Sequence, residues 1–116
     1  KNKSFKLYYY IKNKKIIFPE RDFVHIKDMN SLLFKILSKL KKYLSSKVYN
    51  VGRGKPTNIK KLVEIYENQA KIKIKYNLKK INKTELKSVF ADIKKVKSDF
   101  SWSPKYTIRF IVKSYI

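Results

Sequence analysis

The hydrophobic pattern changes period repeatedly along this chain, and that constrains its fold more than any other feature. From Met29 to Tyr43, Leu32, Leu33, Ile36, Leu37 and Leu40 recur at spacings of three and four, the stripe of an amphipathic helix. Lys71 to Tyr76 alternates strictly between charged and apolar side chains, the signature of a half-buried strand. Ile16-Ile17-Phe18, stopped by Pro19, reads as a strand, as do Arg21 to Ile26 and Lys47 to Val51. Phe5 to Lys15 reads as the end of a helix. Asp28 is the expected N-cap of the long helix, and Lys39, Lys41 and Lys42 suit the negative end of its dipole. Thr57 or Asn58 caps a helix carrying Ile59, Leu62, Val63 and Tyr66, and Asn77 to Lys87 is a polar loop. Asp92 caps a short helix to Phe100, and Thr107 caps a final one to Ile116. The expected order is α, β, β, α, β, α, β, α, α, a mixed α/β chain.

Composition narrows the function classes. Only two glycines occur in 116 residues, and neither G-x-G-x-x-G nor G-x-x-x-x-G-K-[ST] is present, so no Gly-rich phosphate loop is encoded. Gly52-Arg53-Gly54 reads as a strand-exit turn. Without cysteine there is no disulfide framework and no thiolate zinc site, which fits a cytoplasmic protein. No apolar run approaches the roughly 20 residues of a membrane span, and the start shows no signal-peptide pattern. Lys1 in place of Met reads as a processing or truncation point.

The charge is extreme, 30 Lys+Arg against 8 Asp+Glu. That suggests a polyanion partner such as nucleic acid. A compositional reading stands beside it. Only Arg21, Arg53 and Arg109 are arginine, the lysines are spread along the whole chain, and Ile, Asn and Tyr are abundant, as AT-rich coding would give. Dedicated nucleic-acid readers usually mix in arginine for its bidentate fork.

Four local patterns occur in a fixed order. They are Arg21-Asp22-Phe23-Val24-His25-Ile26-Lys27-Asp28, then Val48-Tyr49-Asn50-Val51-Gly52-Arg53-Gly54-Lys55-Pro56-Thr57, then Phe90-Ala91-Asp92-Ile93-Lys94-Lys95-Val96, and Phe100-Ser101-Trp102-Ser103-Pro104-Lys105-Tyr106-Thr107-Ile108. The succession resembles the C-terminal part of the extended short-chain dehydrogenase/reductase family, the NAD-dependent nucleotide-sugar epimerases and dehydratases. The resemblance covers roughly residues 5 to 116. It implies one partial domain over residues 1–116, a lid-like portion that holds the sugar nucleotide and is completed by a Rossmann domain of the same enzyme. It also implies a family homodimer formed through the part not represented here.

Residue by residue, the resemblance makes Arg21 the arginine on the substrate diphosphate, a role that suits a planar, always-charged fork. The alternative is a surface arginine paired with Glu20 or Asp22. Ile16 and Phe18 match the short strand whose main chain lies against the nucleotide base, which is compatible with core packing. Asn50 matches a position whose amide reaches the phosphate region, and an amide closing the strand end is the competing role. Glu85 falls where the family has a ribose-binding carboxylate, and Asn82 where it has a second phosphate-binding arginine. The family's glycine-containing loop before the arginine is reduced here to Phe18-Pro19-Glu20-Arg21.

Asp22 and Asp28 read as structural, through turn and cap hydrogen bonds. His25, the one histidine, reads as packed or partly exposed rather than as a ligand or base. Trp102 and Tyr106 read as packing residues. The family's NAD fingerprint and Tyr-x-x-x-Lys pair belong upstream of the matching region, so no catalytic residue is expected here. Tyr8 with Lys12 and Tyr10 with Lys14 fit that spacing formally and read as chance in a lysine-rich chain. Two other classes remain open: a small basic nucleic-acid-binding protein, and an interaction module that contributes an apolar helix to a partner.

Overall fold

A computed structural model describes residues 5–40, 46–82 and 85–116. Strand β1 (Phe5–Lys12) turns back into β2 (Lys15–Ile17), with Tyr10 opposite Ile17 and Lys12 opposite Lys15. This corrects the expected helix end at Phe5 to Lys15. The run Leu7-Tyr8-Tyr9-Tyr10-Ile11 is aromatic and β-branched, which suits a pleated surface. Asn13 and Lys14 both take positive φ (50° and 60°), the two-residue turn that matches strand twist. On its other side β1 pairs in parallel with β5 (Tyr76–Lys80), giving the sheet order β2-β1-β5.

The expected strand at Lys71 to Tyr76 is thereby displaced along the chain. The alternation precedes the ladder, which begins at Tyr76 and occupies part of the expected loop. Residues 71–75 are instead held by the Glu67 carboxylate, which accepts from Ile74 N at 2.8 Å and lies 3.6 Å from Lys73 Nζ.

A second small sheet joins β3 (Glu20–Arg21) to β4 (Thr57–Asn58) on one side and β6 (Ser88–Val89) on the other. The expected strand from Arg21 to Ile26 is thus cut to its first residue; residues 22–25 join no ladder, and helix α1 (Ile26–Lys39) begins at Ile26. Its N-cap is His25, whose Nδ1 accepts from Lys27 N at 3.0 Å, and not Asp28. Asp28 is buried in the first turn and reaches out of the helix, accepting from Lys105 N (2.9 Å) and Tyr106 N (3.2 Å). Lys41, Lys42 and Tyr43 lie outside the described residues.

Lys47 to Val51 is extended but joins no ladder among the described residues, so the expected strand is not formed. Helix α2 (Ile59–Ala70) starts at Asn58 as expected, with Asn58 Oδ1 accepting from Lys60 N and Lys61 N. Helix α3 (Lys94–Phe100) follows Asp92, whose Oδ1 accepts from Lys94 N, although Ile93 is the residue at the cap position. Helix α4 (Ile108–Lys113) is capped by Thr107 and stops three residues before the expected Ile116.

The main core lies between α1 and α3, where Leu32, Val96, Phe100 and Trp102 are buried against Ile36, Tyr49, Val51 and Ile93. Trp102 Nε1 donates to Ser31 Oγ (2.9 Å) and to Asp28 O (3.2 Å), so its one polar atom is satisfied inside the core. No helix among the described residues is long and apolar enough to cross a membrane.

Candidate functional site

The site is assembled around one carboxylate. Asp22 follows β3 directly, and three backbone N–H groups from two other segments converge on it. Arg53 N donates to Oδ1 at 2.9 Å, while Gly54 N (2.9 Å) and Ala91 N (3.2 Å) donate to Oδ2. This ties the segment around Tyr49 to Gly54, and the one between β6 and α3, to the end of β3. Gly52 is required for the approach, since a Cβ there would overlap Asp22 Oδ2 and press on Ala91. Gly54 sits at φ +69° against Ile93, a conformation glycine adopts without strain.

Above this tie lies an open cleft of about 510 Å³ lined by Arg21, Asp22, Tyr49, Asn50, Val51, Val89 to Ala91 and Asp92. Arg21 is partly exposed, and its Nη1 donates to Glu20 O at 2.7 Å. That bond leaves the rest of the guanidinium fork available to a ligand. Asn50 is exposed on the opposite strand-like segment. Tyr49 is fixed in the cleft wall by its hydroxyl, which donates to Asp99 Oδ2 at 2.6 Å. The cleft therefore offers a planar cation and a carboxamide on a floor of backbone amides already satisfied by Asp22. Such a set can hold an oxyanion.

Of the residues singled out from sequence, the structure brings Arg21 and Asn50 together here. Ile16 is exposed on β2 and Phe18 is half-buried just beyond it, its carbonyl accepting from Asn58 Nδ2 at 3.1 Å. Neither lines the cleft. Glu85 N donates to Asn82 O at 3.1 Å, and both residues are exposed outside the cleft. Sequence reasoning placed Phe90 in a motif without a role and did not single out Val89; both wall the cleft. Their signal was adjacency to Ala91-Asp92, and only the parallel pairing of Arg21 with Val89 makes it meaningful.

His25 is 5% exposed. Its Nε2 lies 3.2 Å from Ser114 Oγ, and its ring packs against Tyr106 and Phe110. Because Nδ1 accepts from Lys27 N, Nε2 is the protonated nitrogen and donates to Ser114, whose hydroxyl donates on to Ile111 O at 2.6 Å. Both ring nitrogens are thus occupied in structure. Tyr8 and Lys12 lie on a strand, where a spacing of four residues separates them by roughly 13 Å. On a helix the same spacing is a single turn. Among the described residues no group of three His, Asp or Glu is placed to hold a metal.

A dinucleotide is a poor fit to this chain's own glycine turn. The N–H groups of Arg53 and Gly54, which a pyrophosphate would need, point at the Asp22 carboxylate. A second anion in the same cradle would be repelled.

Comparison with known proteins places this geometry. A family model described as GDP-mannose 4,6 dehydratase matches residues 11–115. UDP-arabinose 4-epimerase 1 of Arabidopsis thaliana is 28% identical over 87 residues, covering 75% of this chain and 20% of that protein. The UDP-Glc/GlcNAc 4-epimerase of Campylobacter jejuni superposes with a TM-score of 0.77 at 28% identity, over 94% of this chain and 34% of the other. A UDP-glucose 4-epimerase from Stenotrophomonas maltophila, solved with NAD and formylated UDP-arabinopyranose, superposes with a TM-score of 0.81 at 16% identity, over 95% of this chain and 33% of the other. The chain thus spans about a fifth of the curated relative and about a third of the solved structures.

Proposed function

Because the chain belongs to the family described as GDP-mannose 4,6 dehydratase, within the extended short-chain dehydrogenases/reductases, we propose that it forms the nucleoside-diphosphate-sugar-binding part of an NAD-dependent epimerase or dehydratase. The observation that carries this reading is the cleft where Arg21 and Asn50 meet over the Asp22 tie. Arg21 grips the diphosphate with its free fork, and Asn50 hydrogen-bonds the same group. Asn82 and Glu85 belong to this reading as groups toward the ribose, and Ile16 and Phe18 as the strand toward the base. They reach such a ligand from outside the cleft itself.

NAD is assigned to residues beyond this chain, in a Rossmann domain of the same enzyme, and so is the chemistry at the sugar. Two features of the surface support docking onto such a domain. Helix α1 turns Leu33, Phe34 and Leu37 outward, at 52, 73 and 60% exposure. In the ladderless segment before the glycine turn, the Val48 side chain is 83% exposed. Contiguous apolar surface of this kind marks an interaction face.

The test is binding of UDP-glucose to the full chain by isothermal titration calorimetry, at a salt concentration high enough to suppress diffuse attraction by the lysines. Arg21→Gln should weaken binding by about 10- to 100-fold, the loss of a charge-assisted hydrogen-bond pair. Arg21→Lys should lose part of that, because the ammonium cannot reproduce the fork. If both variants bind as the natural chain does, the cleft is not the diphosphate site.

A further inference from the structure

The β2-β1-β5 sheet has a face that the sugar-nucleotide reading does not use. In β1, Lys6, Tyr8, Tyr10 and Lys12 share one side by the two-residue period of a strand. Register adds to that side Lys15, opposite Lys12, and Lys79, beside Tyr8. The Lys79 ammonium lies 5.9 Å from the Tyr8 ring centroid, and Lys87, arriving from the loop before β6, lies 5.1 Å from that of Tyr10. None of the three strands contains an acidic residue. Of the chain's eight carboxylates, Asp22, Asp28 and Asp92 accept from backbone amides and Glu64, Glu67 and Asp99 lie beside lysines, while Glu20, bonded to Ser88 Oγ, and the exposed Glu85 are the two near Lys87. The result is a flat cationic surface with two partly exposed tyrosine rings set two residues apart, each overhung by a mobile-length ammonium side chain.

We propose that this face binds single-stranded nucleic acid, with bases stacking on Tyr8 and Tyr10 and the backbone phosphates meeting Lys6, Lys12, Lys15, Lys79 and Lys87. Charge complementarity selects a polyanion. The tyrosine pair narrows the choice to a ligand with unpaired planar bases, since aromatic platforms flanked by cations are the general means of holding single strands. A duplex hides its base faces, and an anionic membrane has none. The lysines over the rings exchange one cation–π contact for a phosphate contact when a base takes their place. This inference does not rest on the sugar-nucleotide reading, whose cleft lies at the other sheet and whose one residue on this sheet, Ile16, pairs with Ile11 on the opposite face.

The experiment uses the full chain and a fluorescein-labelled oligothymidylate, with anisotropy recorded across a salt series. Lys12→Gln/Lys79→Gln/Lys87→Gln should weaken binding at least about tenfold and flatten the log–log salt slope by about 2, three phosphate contacts at roughly 0.7 each. A control triple on the helices, Lys27→Gln/Lys61→Gln/Lys113→Gln, removes the same net charge and should change affinity less than about twofold, within the ordinary scatter of near-neutral contacts. Tyr8→Leu/Tyr10→Leu should weaken binding and Tyr8→Phe/Tyr10→Phe should preserve it; circular dichroism checks the fold of each. Equal weakening by both lysine triples would show that only net charge binds, and overturns the proposal. So does tighter binding to phosphatidylserine vesicles or to duplex DNA than to the oligothymidylate. If the leucine pair misfolds, the two lysine triples and the competing ligands still decide.

Discussion

Asp22 carries more of this structure than any other single side chain. Its two oxygens collect N–H donors from Arg53, Gly54 and Ala91, groups that are remote in sequence. Asp22→Ala leaves three partly buried donors without an acceptor, and it should destabilise the chain by about 2–4 kcal/mol, measured by urea denaturation. Asp22→Asn keeps one good acceptor and should cost less. A loss below about 0.5 kcal/mol, the range of ordinary surface substitutions, would mean that water replaces the carboxylate. The structural role of Asp22 was legible in the sequence, because a short carboxylate beside a strand end is suited to such bonds. Its partners were not, because nothing local says which of two distant segments will close on it. Asp28 shows the converse. Its position before an apolar stripe suggested a cap, yet the helix starts earlier, at a histidine whose ring nitrogen does the capping. Histidine is an uncommon cap, and local propensity alone favours the aspartate.

At the scale of elements, scarcity of glycine shows at the left-handed positions, of which only Gly54 among the described residues is a glycine. The left-handed positions at Asn13, Lys14, Lys71 and Ser101 are all filled by residues with a Cβ. Lys71 closes α2 at φ 59° and ψ 35°. Glycine is the favoured residue at such an exit, and a non-glycine residue there costs roughly 1–2 kcal/mol. Lys71→Gly should therefore stabilise the chain by about 0.5–1 kcal/mol, after part of the gain is offset by the freer unfolded chain. A lower denaturation midpoint would contradict this. The same helix end holds a pH-sensitive contact. The bond from Ile74 N, aided by Lys73, holds the Glu67 carboxyl below its ordinary range. A group with a depressed folded pKa stabilises the native state above its unfolded value, near 4.5, and the contribution is lost as pH falls through the folded value. Glu67→Gln retains an acceptor for Ile74 N but no charge. Between about pH 5 and about pH 3 the natural chain should lose more stability than this variant; parallel curves would remove Glu67 from the account. The helices were readable because each carries a stripe and a cap. Of the strands, Ile16-Ile17 was readable and forms part of β2; most others were not, because a run such as Lys71 to Tyr76 alternates whether or not a neighbour exists to pair with it. Tyr8 to Tyr10 fits a strand or a helix until β5 is known to lie beside it.

For the whole molecule, what the sequence disclosed was ancestry more than compactness. Three of the four motifs meet at the Asp22 tie and its cleft, and the fourth packs into the core against α1. The loose shape could not be read from them. The chain has a radius of gyration of 17.6 Å, against about 13 Å for a compact domain of this length. Its apolar faces on α1 and around Val48 stand open. An extended outline suits a chain of net charge +22, because it separates the lysines. That charge still repels itself in the folded state, more than in an unfolded chain where the same lysines stand further apart. Salt screens the repulsion, with a Debye length of about 10 Å at 0.1 M and about 30 Å at 0.01 M. Most proteins show little dependence of midpoint on modest salt, whereas this chain should melt higher as sodium chloride rises from about 0.01 to about 0.3 M. Sodium sulfate at equal ionic strength adds anion binding at the cationic sheet face, so it should raise the midpoint further than chloride. A midpoint that is flat or falls with sodium chloride would mean that the lysines are already far enough apart for water alone to insulate them. The outline would then have to be explained by the unpartnered apolar faces and not by charge.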